Sequence, residues 1–349
     1  MKSANATTSL GGTASNITIG KVAHGLMLMT WRADPVPDEQ CFEAIKAGVD
    51  ALPLGAKMFI NGGRSIPPTY TREFYGHNFS TTNLEMIARF FEKYPDYADK
   101  TFLSIKGGVN PGVPEPDCSP AGVRRSVELV NEKLRGTKRL DLFECARVDP
   151  KVPLEESIRT MVELKNEGKL DHIGMSECSA DSLRRGNAIH PIAAVEIEVS
   201  PWSYEEETKK VIATAEELGI AVLAYSPLGR GFLTGQIKRP EDLPEGDFRR
   251  HLPRFEEDNM KHNFAIVDAL AEIARRKNVT PAQLCIAWVA SLGKHVIPLP
   301  GSSHPKRTLE NCAGGDVELS TEEFAEINNV IETAGVEGAR YGHGALLWG

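Results

Sequence analysis

Eight short β-like runs, each followed by a helix-like segment, alternate along most of the chain, and this rhythm limits the fold more than any other feature. The predicted strands are Gly25–Met29, Lys57–Ile60, Thr101–Ile105, Leu140–Cys145, His172–Met175, Ala193–Ile197, Ile220–Ala224 and Val296–Leu299. Helices are predicted near 38–48, 81–93, 119–135, 154–167, 180–189, 205–218, 261–277 and 305–313. In the third of these, Ser119 before Pro120 reads as an N-cap followed by a first-turn proline, and Val123, Val127, Val130 and Leu134 recur at helical spacing. Such alternation predicts a parallel sheet covered by helices. Eight repeats favour closure into a (β/α)8 barrel, and the first strand lacks the G-x-G-x-x-G of an open dinucleotide-binding sheet. One barrel domain is expected over residues 17–349, after a disordered tail over 1–16 rich in Ser, Thr, Ala and Gly. Two Pro- and charge-rich stretches interrupt the rhythm after strand ends, Arg64–Arg72 and Arg230–Asn259. The second is long enough to fold over a ligand.

Charge narrows the range of partners. Forty Lys and Arg stand against 48 Asp and Glu, a net −8, so no cationic field is available to hold nucleic acid or an anionic membrane. No apolar run approaches the ~20 residues of a membrane span. Cysteines 41, 118, 145, 178, 285 and 312 form no C-x-x-C pair, and the histidines show no ligand spacing, so free cytoplasmic thiols and no metal site are expected. The expected partner is a small molecule.

Barrel enzymes place their chemistry where strands end. After the second strand stand Asn61 and, further on, Glu73-Phe74-Tyr75-Gly76. Lys106 follows the third, and Ala146-Arg147-Val148-Asp149-Pro150 the fourth. Ser176-Glu177, Glu196-x-Glu198 and Tyr225-Ser226-Pro227-Leu228-Gly229-Arg230-Gly231 follow the next three. The eighth gives Pro300-Gly301-Ser302-Ser303, with Lys306, Arg307, Glu310 and Asn311 beyond it. F-Y-G, a strand ending in Lys, G-K-x-x-x-I-G-x-S, A-Y-S-P-L-G-x-G and P-G-S-S-x-P-x-R-x-x-E-N form an ordered series that resembles the aldo-keto reductases over nearly all of the chain after about residue 20. F-E-C-A-R-V-D-P, L-S-I-K-G-G and F-L-T-G-Q further resemble the fungal pyridoxal reductases.

Chemistry and resemblance meet at these residues. Reducing a carbonyl requires a hydride donor, which no side chain can be, so a nicotinamide is implied. An acid must protonate the developing alkoxide. The resemblance gives that role to Tyr75, whose phenol would ordinarily titrate near pH 10, with Lys106 favouring its ionised form. It places Tyr225 against the nicotinamide ring and Ser226, Leu228 and Gly229 over the pyrophosphate. Ser176, Glu177 and Glu196 take carboxamide-binding positions. A carboxylate accepts from an amide NH2 but cannot donate to its oxygen, so one of the two glutamates is expected to be protonated or turned aside. Ser302, Ser303 and Arg307 surround the adenosine ribose, with Glu310 and Asn311 at the adenine. A guanidinium and hydroxyls suit a 2′-phosphate, hence NADPH.

Two positions depart from the family pattern. Asn61 stands where an Asp usually pairs with the lysine, and Ala146 where a His usually contacts the substrate carbonyl. Lys106 is therefore expected to lack its carboxylate, with an altered pH profile. The implied activity is NADPH-dependent reduction of an aldehyde, pyridoxal to pyridoxine. The alternatives are a broad aldehyde reductase, or an NADPH-binding sensor with little turnover. The C-terminal aromatics Tyr341, His343 and Trp348 are candidates for the substrate pocket.

Overall fold

Neighbouring residues on the strands face two different cores, and this split is what makes the sheet a barrel. The computed structural model describes residues 4–32, 34–63, 81–110, 115–342 and 344–349, with the backbone of 73–74 and 76–77. Barrel strands are β1 (His24–Gly25), β2 (Met58–Gly63), β3 (Thr101–Gly107), β4 (Leu142–Cys145), β5 (His172–Ser176), β6 (Ala194–Glu198), β7 (Ala221–Tyr225) and β8 (Val296–Leu299). Phe59, Phe102, Leu142, Ala194, Leu223 and Ile297 fill the barrel interior. Their neighbours Ile60, Leu103, Phe143, Val195, Val222 and Val296 pack outward under the helices. A period of two along each strand produces both layers.

The strands pair in parallel in chain order. Closure comes from β1, where Ala23 N donates to Pro298 O (2.9 Å) and Gly25 N to Pro300 O (3.0 Å). The architecture is the expected (β/α)8 barrel. The first strand is shorter than the predicted Gly25–Met29, because the chain turns at once into a one-turn helix, Met27–Thr30. Leu26 and Met29, three residues apart, are both buried, and Leu26 N donates to Asn61 O (2.9 Å). A helical turn buries both side chains, which an extended strand would point to opposite faces.

The outer layer consists of α1 (Asp38–Asp50), α2 (Thr82–Lys93), α3 (Pro120–Leu134), α4 (Leu154–Asn166), α5 (Ala180–Ile189), α6 (Glu206–Leu218), α7 (Glu257–Lys277), α8 (Pro281–Ser291), α9 (Pro305–Gly314) and α10 (Thr321–Ala334). Ser119 caps α3 as its sequence predicts, accepting from Gly122 N at 3.1 Å. Helix α8 was not apparent from periodicity because it is buried nearly all round, with Leu284 to Val289 all in the core. Its start is nonetheless written in the sequence: Thr280 and Gln283 form a reciprocal capping box. Ser320 and Glu323 do the same for α10, which the strand–helix rhythm also missed.

The disordered tail expected over residues 1–16 is corrected for residues 4–16. Thr7–Ser9 and Thr18–Gly20 form an antiparallel hairpin that puts Leu10, Ala14 and Ile19 into the interior cluster, against the residues at the base of the barrel. Gly11 N donates to Ala193 O (3.0 Å) and Gly12 N to Gly219 O (2.9 Å). Only glycine fits this approach, since a Cβ on Gly12, whose φ is +46°, would lie 2.2 Å from Ile192 O. A composition of small residues therefore marks close backbone contact here.

Candidate active site

At the upper end of the barrel the inward positions change from apolar to charged. Each lies beyond an interior hydrophobe on its own strand: Asn61 after Phe59, Lys106 after Phe102 and Ser104, Glu144 after Leu142, Glu196 and Glu198 after Ala194, Tyr225 after Leu223. The register sets Lys106 opposite Glu144, Glu196 opposite Ser176, and Glu198 opposite Tyr225. All these charged groups are nearly or fully buried. Buried charges persist only when paired and hydrogen-bonded, so their partners define the site.

Lys106 does have a carboxylate, which corrects the expectation drawn from Asn61. Glu196 reaches across the interior to place Oε1 2.6 Å from Lys106 Nζ. Its Oε2 accepts from Asn61 Nδ2 at 2.8 Å, and the same amide nitrogen lies 3.3 Å from Ser104 Oγ. Asn61 thus orients the counterion without being it. Lys106 Nζ also sits over the Tyr225 ring, 4.9 Å from its centroid, a cation–π arrangement. Glu144 lies beside this pair. As a carboxylate its Oε1 has no hydrogen-bond partner among the described residues, whereas as a carboxylic acid it can donate to Glu196. Burial first, and then the Glu196 charge, push its carboxyl well above the ordinary range.

A second network lies alongside. Glu177, in a left-handed conformation with φ +49°, is turned away from the cleft, as one of the two glutamates was expected to be. It accepts from Tyr225 Oη (2.8 Å) and from Glu198 N (3.2 Å). Arg340 from the C-terminal segment places Nη2 3.4 Å from Glu177 and Nη1 3.4 Å from Glu198. Arg230 donates to Glu198 at 2.8 Å. Burial opposes the Glu198 charge, but Arg230, Arg340 and Arg254 together hold its carboxyl below the ordinary range. Tyr341 Oη meets Tyr225 Oη at 2.9 Å, and burial, then Glu177, push the Tyr225 phenol well above 10. Arg230, Arg340, Glu144, Glu198 and Arg147 carried no assigned role in the sequence reading. Arg230, Glu144, Arg147 and Glu198 all sit at strand ends inside quoted stretches, which is the one signal that could have found them, while Arg340 acts from 142 positions beyond Glu198.

These groups form one end of a cleft of about 820 Å³. Asn61, Lys106, Glu196, Tyr225, Ser226 and Leu228 line that end, and Arg307, Glu310 and Asn311 line the other. The stretch after β7 walls one side through turns at Gly229–Thr234 and Phe248–His251. Phe248 stacks on Trp31 from the opposite side, with centroids 4.3 Å apart. Arg307 is exposed and makes no ion pair among the described residues, so it is available to an anionic ligand. That end suits a phosphate-bearing ligand; at the other end Glu177 and Glu196 are committed to protein partners.

Other expected site residues lie elsewhere. Ser176 borders a separate small void with Cys118 and Cys145, and its buried Oγ has no partner among the described residues. Ser302 Oγ closes a local turn with His304, and Ser303 O accepts from Gln40 Nε2 at 2.9 Å. Gly229 is buried behind the cleft, where a Cβ would meet the Trp202 ring. Tyr75, the 64–72 stretch and His343 lie outside the described residues. Among the described residues no cluster of side chains could hold a metal ion, and no helix is long and apolar enough to cross a membrane.

Comparison with known proteins agrees with this geometry. The model of the Aldo/keto reductase family matches residues 21–332. The chain is 36% identical over 328 residues to Probable pyridoxal reductase 2 of Schizosaccharomyces pombe, covering 93% of this chain and 95% of that one. It is 37% identical over 269 residues to that organism's aldo-keto reductase yakc, whose name specifies NADP(+), covering 75% and 78%. Among solved structures it resembles the glycerol dehydrogenase of Gluconobacter oxydans, with a TM-score of 0.76 at 24% identity over 93% of this chain and 94% of that one.

Proposed function

Since the chain belongs to the aldo/keto reductase family, and is therefore an oxidoreductase, we propose that it reduces aldehydes with NADPH and that pyridoxal, converted to pyridoxine, is its substrate. The observation that carries this reading is the buried Lys106–Glu196 pair at one end of a cleft whose other end holds Arg307, which makes no ion pair among the described residues. Bound in this cleft, NADPH would supply the hydride for the aldehyde carbon. Arg307 would take its 2′-phosphate, with Glu310 and Asn311 at the adenine, and Ser226 and Leu228 along the pyrophosphate.

The chain's own part is the proton and the positioning. Tyr75 is assigned as the acid that protonates the carbonyl oxygen, a role that rests on sequence resemblance. Lys106 favours its phenolate form by charge, which makes the phenol a stronger acid. Glu196 holds the ammonium in place and Asn61 holds Glu196. The apolar ring of Trp31 and the Phe248 ring shield the middle of the cleft from water. The preference for pyridoxal draws on the name of the S. pombe relative.

NADPH oxidation with pyridoxal and a panel of aldehydes tests the reading, for the wild type and Tyr75→Phe. Pyridoxal should give the highest kcat/KM, and Tyr75→Phe should lower it by at least a hundredfold. Equal rates across the panel would indicate a broad aldehyde reductase. Tight NADPH binding without turnover would indicate a sensor.

A further inference from the structure

The cations that line the cleft are Lys106, Arg147, Arg230, Arg249 and Arg307. Lys106 pairs with Glu196, Arg230 with Glu198, and Arg249 with Asp247. Arg307 is exposed and stands at the end assigned to the cofactor phosphate. Arg147 is different from all of these. It is only 7% exposed, and among the described residues it makes no ion pair and the one hydrogen bond of its guanidinium runs from Nη1 to its neighbour's carbonyl, Ala146 O, at 2.6 Å. A guanidinium has five N–H donors, so most of this one's capacity is unused by the described residues.

Its surroundings keep it charged. Burial opposes the charge, but the fields of its neighbours, the Glu177 carboxylate first, more than offset it. The guanidinium lies 5.9 Å from the Tyr341 ring centroid. At this end of the cleft Glu196, Glu198 and Glu177 answer Lys106, Arg230 and Arg340. Glu144 is held toward its neutral form. Among the described residues Arg147 is left as a buried cation without an ion pair, at the strand end beside Ala146, a residue whose methyl group can donate nothing to a carbonyl; the buried Asp149 carboxylate nearby accepts instead from Cys118 N and Lys151 N.

We propose that Arg147 is a substrate-anchoring residue, and that the preferred substrates are aldehydes carrying one ionised oxygen beside the carbonyl. This inference rests on the reading of the chain as an aldehyde reductase. An anionic ligand gives this guanidinium the ion pair it lacks among the described residues, and so offsets the desolvation it already suffers. The planar fork of the guanidinium can donate to two neighbouring oxygens at once. An ionised hydroxyl ortho to an aldehyde offers that pair, and pyridoxal belongs to this class. The fork then supplies the carbonyl donor that Ala146 lacks.

Two measurements test this. Binding of benzoate and of neutral benzamide to the NADP+-loaded protein is followed by calorimetry for the wild type, Arg147→Met and Arg147→Lys. Benzoate should bind the wild type at least tenfold more tightly than benzamide, Arg147→Met should abolish the preference, and Arg147→Lys should retain part of it. In turnover, 2-hydroxybenzaldehyde should exceed 2-methoxybenzaldehyde in kcat/KM by at least tenfold above the pH at which its phenol ionises, and by less below it. A wild type without either preference, or an Arg147→Met protein that keeps the benzoate preference, overturns the proposal. If Arg147→Met does not fold, the wild-type comparisons decide alone. Failure to turn over pyridoxal with the anion preference intact would count against the pyridoxal assignment and leave Arg147 in its role.

Discussion

Glu196 on β6 and Lys106 on β3 meet at 2.6 Å through the barrel interior, with two strands of the sheet between them. The carboxylate that serves this lysine comes from the far wall, and the neighbouring strand end contributes only an amide. A residue whose position in the sequence pattern pointed to cofactor binding is instead the counterion of the lysine.

Replacing that counterion should be costly and specifically repairable. Glu196→Gln takes this carboxylate away from a buried ammonium, for which a destabilisation of about 3 kcal/mol is expected, with at least a tenfold loss of kcat/KM. Adding Asn61→Asp restores a carboxylate next to the lysine and should recover most of both. Chemical denaturation and steady-state kinetics on the two proteins check this; an unrepaired double variant would mean that Glu196 matters for its shape alone.

Glu144 gives a pH dependence of defined sign. Its carboxyl titrates well above the ordinary 4.5 because of burial and the Glu196 charge. The folded state therefore binds more protons than the unfolded state once pH rises past 4.5, and stability falls from there upward. Glu144→Gln removes this penalty. Its urea midpoint should match the wild type near pH 4.5 and exceed it increasingly toward pH 8. Parallel curves for the two proteins would contradict the assignment of a neutral carboxyl.

Arg340 ties the C-terminal segment to the barrel mouth through Glu177 and Glu198 and supports Trp348, 4.9 Å from its ring centroid. Arg340→Met should cost about 3 kcal/mol by leaving these carboxylates short of a partner. It should also raise KM for the aldehyde more than it lowers kcat, because Tyr341 loses its anchor. A change confined to kcat would place Arg340 closer to the chemistry than the contacts indicate.

Gly63 tests how closely Lys106 is held. At φ +144°, a Cβ there would lie 2.6 Å from Lys106 N and 2.7 Å from its O. Gly63→Ala should therefore cost about 2 kcal/mol or more and reduce turnover by shifting the lysine, and the crystal structure of the variant would show the displaced strand.

Arg307→Ala should weaken NADPH binding about tenfold or more, the range of a charge-assisted contact, and leave NADH binding nearly unchanged. Fluorescence titration with both cofactors measures the difference, and equal losses would remove the 2′-phosphate role.

How far the sequence reaches can be seen residue by residue. Strand–helix alternation was legible because a period of two and a period near 3.6 leave direct marks, and Ser119-Pro120 marks a helix start locally. The fully buried α8 lacked a polar face to reveal its period, although Thr280 and Gln283 announced it. At the site, residues fixed to strand ends, such as Lys106 and Tyr225, could be found from position alone. Their partners could not. Whether Glu196 turns toward a lysine or a ligand depends on a strand three places round the barrel, and Arg340 joins from the other end of the chain. Ion pairing across a closed interior has no sequence period.

The hairpin at residues 7–20 has a practical consequence. Because its glycines and buried hydrophobes seal the base of the barrel, this hairpin lies at the end opposite the cleft. A protein held to a support through the outer face of the hairpin would present the mouth of the cleft to the bulk solution, so immobilisation there should preserve access for both reactants.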